Sequence, residues 1–161
     1  MTDRRAFMGL IAALPLAAAA APAWAAAGRF TVSFTPAEWQ RRLGKDAYAV
    51  LREEATERPF TSPLNNEKHA GIFACRGCAL PLFSSAHKFD SGTGWPSFWQ
   101  PISKTAIGTT TDRSFMMERT EVHCSRCGGH QGHVFDDGPK PTGLRYCING
   151  LSLQFIPGKT A

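Results

Sequence analysis

The sequence has no block of like charge: its 18 lysines and arginines are scattered among 13 acidic residues. Nucleic-acid binding leaves a basic stripe or patch, so the net charge of +5 reads as a solvated surface and argues against such a partner. No internal repeat and no low-complexity segment follows residue 27. Cysteine is scarce, five in 161 residues, and none lies at the end of the apolar leader, so lipid attachment is not indicated. A chain of this length forms one domain with a sizeable core.

What is present begins with that leader. Asp3-Arg4-Arg5-Ala6-Phe7-Met8 precedes an Ala/Leu-rich run and Ala23-Trp24-Ala25, a charged head, an apolar stretch and a small-x-small cleavage signal. The paired arginines with Phe7 and Met8 resemble a twin-arginine export signal, a receptor-read address. An uncleaved anchor is the alternative, but Pro15, Pro22 and the abundance of alanine weigh against it. Residues 1–27 are expected to be cleaved after Ala25 or Ala27. That leaves residues 28–161 as one exported, periplasmic domain without stable membrane association. Its charge is +4, 16 basic minus 12 acidic residues.

Two small helices are expected first. Thr35-Pro36-Ala37-Glu38 combines a cap, a first-turn proline and a capping-box glutamate, and Gly44 stops the helix after Leu43. A second helix covers Lys45 to Ala55, with Tyr48 and Leu51 inward. Thr56 to Asn66 is a loop, and Trp39, Tyr48 and Phe60 read as core contacts. From Gly71 onward, short apolar runs between Gly, Pro, Asp and Ser predict strands at 71–74, 80–84, 106–112, 114–122, 133–135 and 144–155. The fold class is mainly β and mostly antiparallel.

Cys75-Arg76-Gly77-Cys78 and Cys124-Ser125-Arg126-Cys127 are two Cys-x-x-Cys knuckles 45 residues apart. Four thiolates at this spacing suit a tetrahedral structural zinc that clips two distant hairpins together. Two disulfides are the rival in an oxidising compartment. His123 could ligate in another arrangement.

The fifth cysteine lies in Leu144-Arg145-Tyr146-Cys147-Ile148-Asn149-Gly150. Strand alternation sends Tyr146 and Ile148 to one face, and Arg145, Cys147 and Asn149 to the other. A guanidinium and a carboxamide flanking a cysteine favour thiolate and offer a donor, the conditions of a nucleophile. Gly150, where the apolar phase slips, is expected to be a bulge. Gly129-His130-Gln131-Gly132-His133 places two histidines three apart. They are metal ligands, turn residues or a pair that orients and protonates a substrate oxygen. His69 and His87 read as surface residues. Trp95-Pro96-Ser97-Phe98 is either core or an apolar pocket for a small group such as a methyl.

Together, Ser91-Gly92-Thr93-Gly94-Trp95-Pro96-Ser97-Phe98, both knuckles, Gly129 through Pro139, and Arg145-Tyr146-Cys147-Ile148-Asn149 resemble the zinc-containing B-type peptide-methionine (R)-S-oxide reductases. The resemblance runs from about Thr35 to Ile156. It implies twisted antiparallel sheets of β-tent type with peripheral helices, and zinc on Cys75, Cys78, Cys124 and Cys127. It also implies Cys147 as nucleophile, passing through a sulfenic acid. His130 and His133 would bind and protonate the sulfoxide oxygen, and Asn149 would help hold the site. Arg145 would support the thiolate, Trp95 would cradle the S-methyl group, and Phe135 would extend that wall. The implied substrates are oxidised proteins or peptides containing methionine sulfoxide, and the implied reductant is a thioredoxin-like protein or another thiol. The default state is a monomer.

Thr93 departs from the family, which often carries a resolving cysteine there. A one-cysteine enzyme follows, since the other four thiols are the zinc ligands. Gln131, where the family often has an apolar residue, is expected at the pocket's edge. A zinc-ribbon-like binding module would explain the knuckles but not Arg145, Cys147 and Asn149. A cysteine hydrolase would explain the thiol and histidines but lacks an oxyanion strategy.

Overall fold

The structure, a computed structural model, describes residues 30–114 and 117–158; the leader expected over 1–27 lies outside the described residues. The chain enters helix α1 (Pro36–Glu53) through the expected capping box. Thr35 Oγ1 accepts the Glu38 N–H, and the Glu38 carboxylate accepts that of Thr35. Gly44, at φ +73°, breaks the helical path and divides α1 into two segments, as the sequence predicts. The inner face buries Trp39, Tyr48 and Leu51. No helix among the described residues is long and apolar enough to cross a membrane.

Two antiparallel sheets follow. The smaller contains β1 (Gly71–Cys75), β2 (Pro81–Ser84) and β9 (Leu153–Pro157), in the order β2-β1-β9. The larger contains β3 (Lys88–Phe89), β4 (Ser97–Phe98), β5 (Ile107–Asp112), β6 (Arg119–Cys124), β7 (His130–Phe135) and β8 (Arg145–Ile148). Its order is β3-β4-β8-β7-β6-β5. Phe98 of the larger sheet stacks on Phe83 at 4.4 Å and meets Phe73 edge-on at 5.0 Å, and all three are buried. Aromatic packing of this kind joins the sheets into one core.

Several expectations are corrected. The strand predicted over 144–155 is two strands in different sheets. It breaks at Asn149, passes through a 3₁₀ turn at Gly150–Ser152, and resumes as β9. Gly150 is therefore a crossover rather than a bulge, because the buried Glu57 carboxylate takes the N–H groups of Gly150 and Leu151. β6 begins at Arg119, since the Ser114 N–H turns back onto Asp112 at 2.8 Å. β7 starts at His130, earlier than predicted. Phe60 is not core: it is 73 % exposed at φ +65°, held by its N–H to the Gly94 carbonyl. His87 is half-buried against Trp99 and bonded to Gln100, whereas His69 is exposed as predicted.

Candidate functional site

β1 and β6 each end on the first cysteine of a knuckle. Tight turns return Ala79 N–H to the Cys75 carbonyl and Gly128 N–H to the Cys124 carbonyl. All four sulfurs lie within 4.8 Å of one another. Cys75 and Cys127 are 3.7 Å apart, and Cys78 and Cys124 are 3.5 Å apart. Sulfurs at about 2.3 Å from one tetrahedral ion sit about 3.8 Å from each other, so the cluster fits a metal. A disulfide needs about 2.05 Å, and all five cysteines are free. Gln131 belongs to this cluster and not to the pocket's edge. It is fully buried, and Nε2 donates to the Gly129 carbonyl at 3.0 Å and to Cys75 Sγ at 3.6 Å.

Cys147 lies on β8 between β4 and β7, opposite Ser97 on one side and His133 on the other. Gly132 makes this approach possible, because a side chain there would collide with the Cys147 carbonyl. Cys147, His133, Asn149, Trp95, Phe135 and Arg119 line one cavity of about 120 Å³. Five of the residues singled out in the sequence thus share it; Arg145 and His130 do not.

Arg145 stands beside the cavity, its guanidinium 4.4 Å from the centre of the Phe135 ring. Its Nε and Nη2 form a fork on the two oxygens of Asp137, both at 2.8 Å. Burial pushes the Cys147 thiol above its ordinary range. The Thr93 hydroxyl and Arg145 pull it down, and Asp137 opposes them. Desolvation thus opposes the thiolate that the flanking Arg145 favours, and burial is the larger of the two effects. Thr93 Oγ1 lies 3.8 Å from Cys147 Sγ, in a hydroxyl chain through Ser91 to Ser97. The Asn149 amide donor is engaged by the Gln131 carbonyl at 3.1 Å, and its Oδ1 accepts the Glu57 N–H at 2.8 Å. Trp95 is pinned by the bond from Nε1 to the Glu57 carbonyl, 2.9 Å.

His130 opens into a neighbouring cavity of about 240 Å³, which His133, Asp112, Arg119 and Glu121 also line. The two rings are 5.5 Å apart. His130 Nδ1 lies 2.9 Å from Glu121 Oε1, and His133 Nε2 lies 2.8 Å from Asp112 Oδ2. Burial resists ionisation of Glu121, but bonds from His123 and His130 bring it down to about 2. Burial lowers His133, against the pull of Asp112. Glu57, Asp112, Arg119 and Glu121 escaped the sequence reading. The alternation of Arg119 and Glu121 along a strand was the one local signal that could have found two of them.

Residues 43–157 match the SelR domain model. A protein named peptide methionine sulfoxide reductase MsrB from Pseudomonas putida is 56 % identical over 120 residues, 74 % of this chain and 90 % of that one. Proteins of the same name from Hahella chejuensis and Agrobacterium fabrum are 53 % and 50 % identical. Those matches cover 73 % and 78 % of this chain, and 85 % and 93 % of theirs. The chain belongs to the SelR family of methionine sulfoxide reductases. As a member it is an oxidoreductase, and the non-catalytic binding module and the hydrolase are set aside. The SelR match begins at Leu43, so the capping box and Trp39 lie outside it although Trp39 belongs to the core.

Proposed function

We propose that the protein reduces the R epimer of methionine S-oxide, mainly in proteins, with Cys147 as nucleophile. The observation that carries this reading is the pairing of Cys147 with His133 across β8 and β7, in a cavity walled by Trp95 and Phe135. The Cys147 thiolate attacks the sulfoxide sulfur while His133 gives a proton to the oxygen. The hydroxyl then passes from the substrate sulfur to Cys147 Sγ: the new S–S bond and the substrate S–O bond break as the Sγ–O bond forms, so methionine leaves and Cys147 is left as a sulfenic acid. Sulfur of the substrate is reduced and sulfur of Cys147 is oxidised. Two equivalents of an external thiol, from a thioredoxin-like protein or a small molecule, then release water and become a disulfide.

Trp95 and Phe135 receive the S-methyl group, and Asn149 keeps the end of β8 in place. Arg145 stabilises the thiolate, and His130 supports His133 from the adjoining cavity. No second cysteine stands at Thr93, which supports regeneration by an external thiol. Cys75, Cys78, Cys124 and Cys127 would hold a structural zinc, which supplies folding free energy. The protein acts as a monomer in the periplasm, delivered by a cleaved twin-arginine signal, and binds no nucleic acid.

The test offers separate R and S epimers of an N-blocked methionine sulfoxide with excess dithiothreitol. Turnover of the R epimer alone, abolished in Cys147→Ser, is expected. No turnover of either epimer by folded protein with Cys147 reduced would overturn the proposal.

A further inference from the structure

His133 is not alone in its cavity wall. Asp112 and Arg119 face each other across β5 and β6. Asp112 Oδ2 receives Arg119 Nη2 at 2.6 Å and stands 2.8 Å from His133 Nε2. Asp112 Oδ1 accepts the Ser114 N–H at 2.8 Å, and Arg119 Nη2 also donates to Ser114 Oγ at 3.1 Å. Both oxygens of the carboxylate are therefore occupied, and its orientation is set before substrate arrives.

A carboxylate only accepts hydrogen bonds, so the nitrogen of His133 that faces Asp112 carries the hydrogen. Neutral His133 then has a bare Nδ1 and no proton to release there. A transferable proton exists on Nδ1 only when the ring is cationic, and Asp112 is the group that favours the cation. Burial and the positive charge of Arg119 oppose it.

We propose that Asp112, held by Ser114 and Arg119, is a positioning residue that fixes the tautomer and orientation of His133. The proton handed to the sulfoxide oxygen thus comes from the cationic imidazole. This rests on the function proposed above. The other charged and titratable groups around the ring are Glu54 after α1, Arg113 after β5, Glu121 on β6, His130 on β7 and Cys147 on β8.

The test uses the full-length, zinc-loaded protein, with Asp112→Asn and Arg119→Gln. Nitrogen-15 spectra of the imidazoles report the His133 tautomer and titration midpoint without turnover. The pH profile of kcat/KM for the R sulfoxide is recorded in parallel. In the starting protein His133 should carry its neutral-state hydrogen on Nε2. In Asp112→Asn the midpoint should fall, and kcat/KM at a fixed pH above it should drop about tenfold for each pH unit of movement. In Arg119→Gln the midpoint should rise. Opposite movements are not what loss of packing produces, and Arg119→Gln alone decides the matter if Asp112→Asn does not fold. An Nδ1–H tautomer, an unmoved midpoint, or two shifts of the same sign would overturn the proposal. Failure to turn over sulfoxide at all would count against the proposed function, while the spectra would still judge the dyad.

Discussion

Glu57 and Asn149 hold each other across 92 residues of sequence. The Glu57 N–H bonds Asn149 Oδ1, and the Glu57 carboxylate takes the N–H of Gly150, which follows Asn149. The Glu57 carbonyl accepts Trp95 Nε1. One loop residue thus ends β8, turns the chain toward the second sheet, and sets the indole that walls the Cys147 cavity.

Glu57→Ala should therefore lower stability. It strips a buried carboxylate from two N–H groups, at a cost of about 3 kcal/mol. Urea denaturation checks this, with the midpoint falling and the slope unchanged. The turnover of the folded fraction should fall too, as Trp95 and Asn149 lose their common support.

The Cys147 thiol is held above its ordinary range by burial, and Arg145 partly counters this. Its alkylation by iodoacetamide should inflect above the ordinary cysteine value. Arg145→Gln removes the cation and should move the inflection further up. The sign follows because the thiolate is the form that loses its counter-charge. An inflection below the ordinary value would refute the dominance of desolvation.

The Thr93 hydroxyl lies 3.8 Å from Cys147 Sγ, so a thiol at this position can reach the sulfenic acid. Thr93→Cys, given one equivalent of R sulfoxide and no reductant, should form a disulfide with Cys147 and release water. The starting protein should instead stop at a sulfenic acid that dimedone captures. Intact-mass spectrometry distinguishes the two.

Gln131 donates to Cys75 Sγ, and its Oε1 is buried without a partner. A hydrogen bond donated to a ligating sulfur draws charge from it and makes it less nucleophilic. Gln131→Leu should fold as well as the starting protein but, once loaded with zinc, lose it to a chelator several-fold faster under dilute peroxide. Two thiolates and one peroxide would yield a disulfide, two waters after proton uptake, and free metal. Removing any metal held by the four cysteines should lower Tm sharply, because the cluster joins the ends of β1 and β6.

Much of this molecule is written in short-range pattern. The capping box at Thr35, the break at Gly44 and the two knuckles depend on neighbours a few positions apart, and each formed as its spacing requires. Cys147, His130 and His133 stood out in the sequence because sulfur and imidazole are rare and chemically marked; strand register places only His133 of the pair in the Cys147 cavity. Phe60 misled because hydrophobicity alone does not reveal a positive φ and a backbone bond to Gly94. The strand over 144–155 misled because its residues suit extended structure on both sides of the crossover. The Glu57 carboxylate, far away in sequence, takes the N–H groups where they divide.

The sequence by itself determined the chemical groups available: four cysteines at metal-knuckle spacing, a fifth in a polar strand, a pair of histidines and a run of aromatics. Tertiary structure decided which groups meet. Asp112 reaches His133, Glu121 reaches His130, and desolvation outweighs Arg145 at Cys147, through strand register and burial. Those depend on the whole sheet being assembled, since electrostatic and hydrogen-bond energies are set by distance and solvent access rather than by position along the chain.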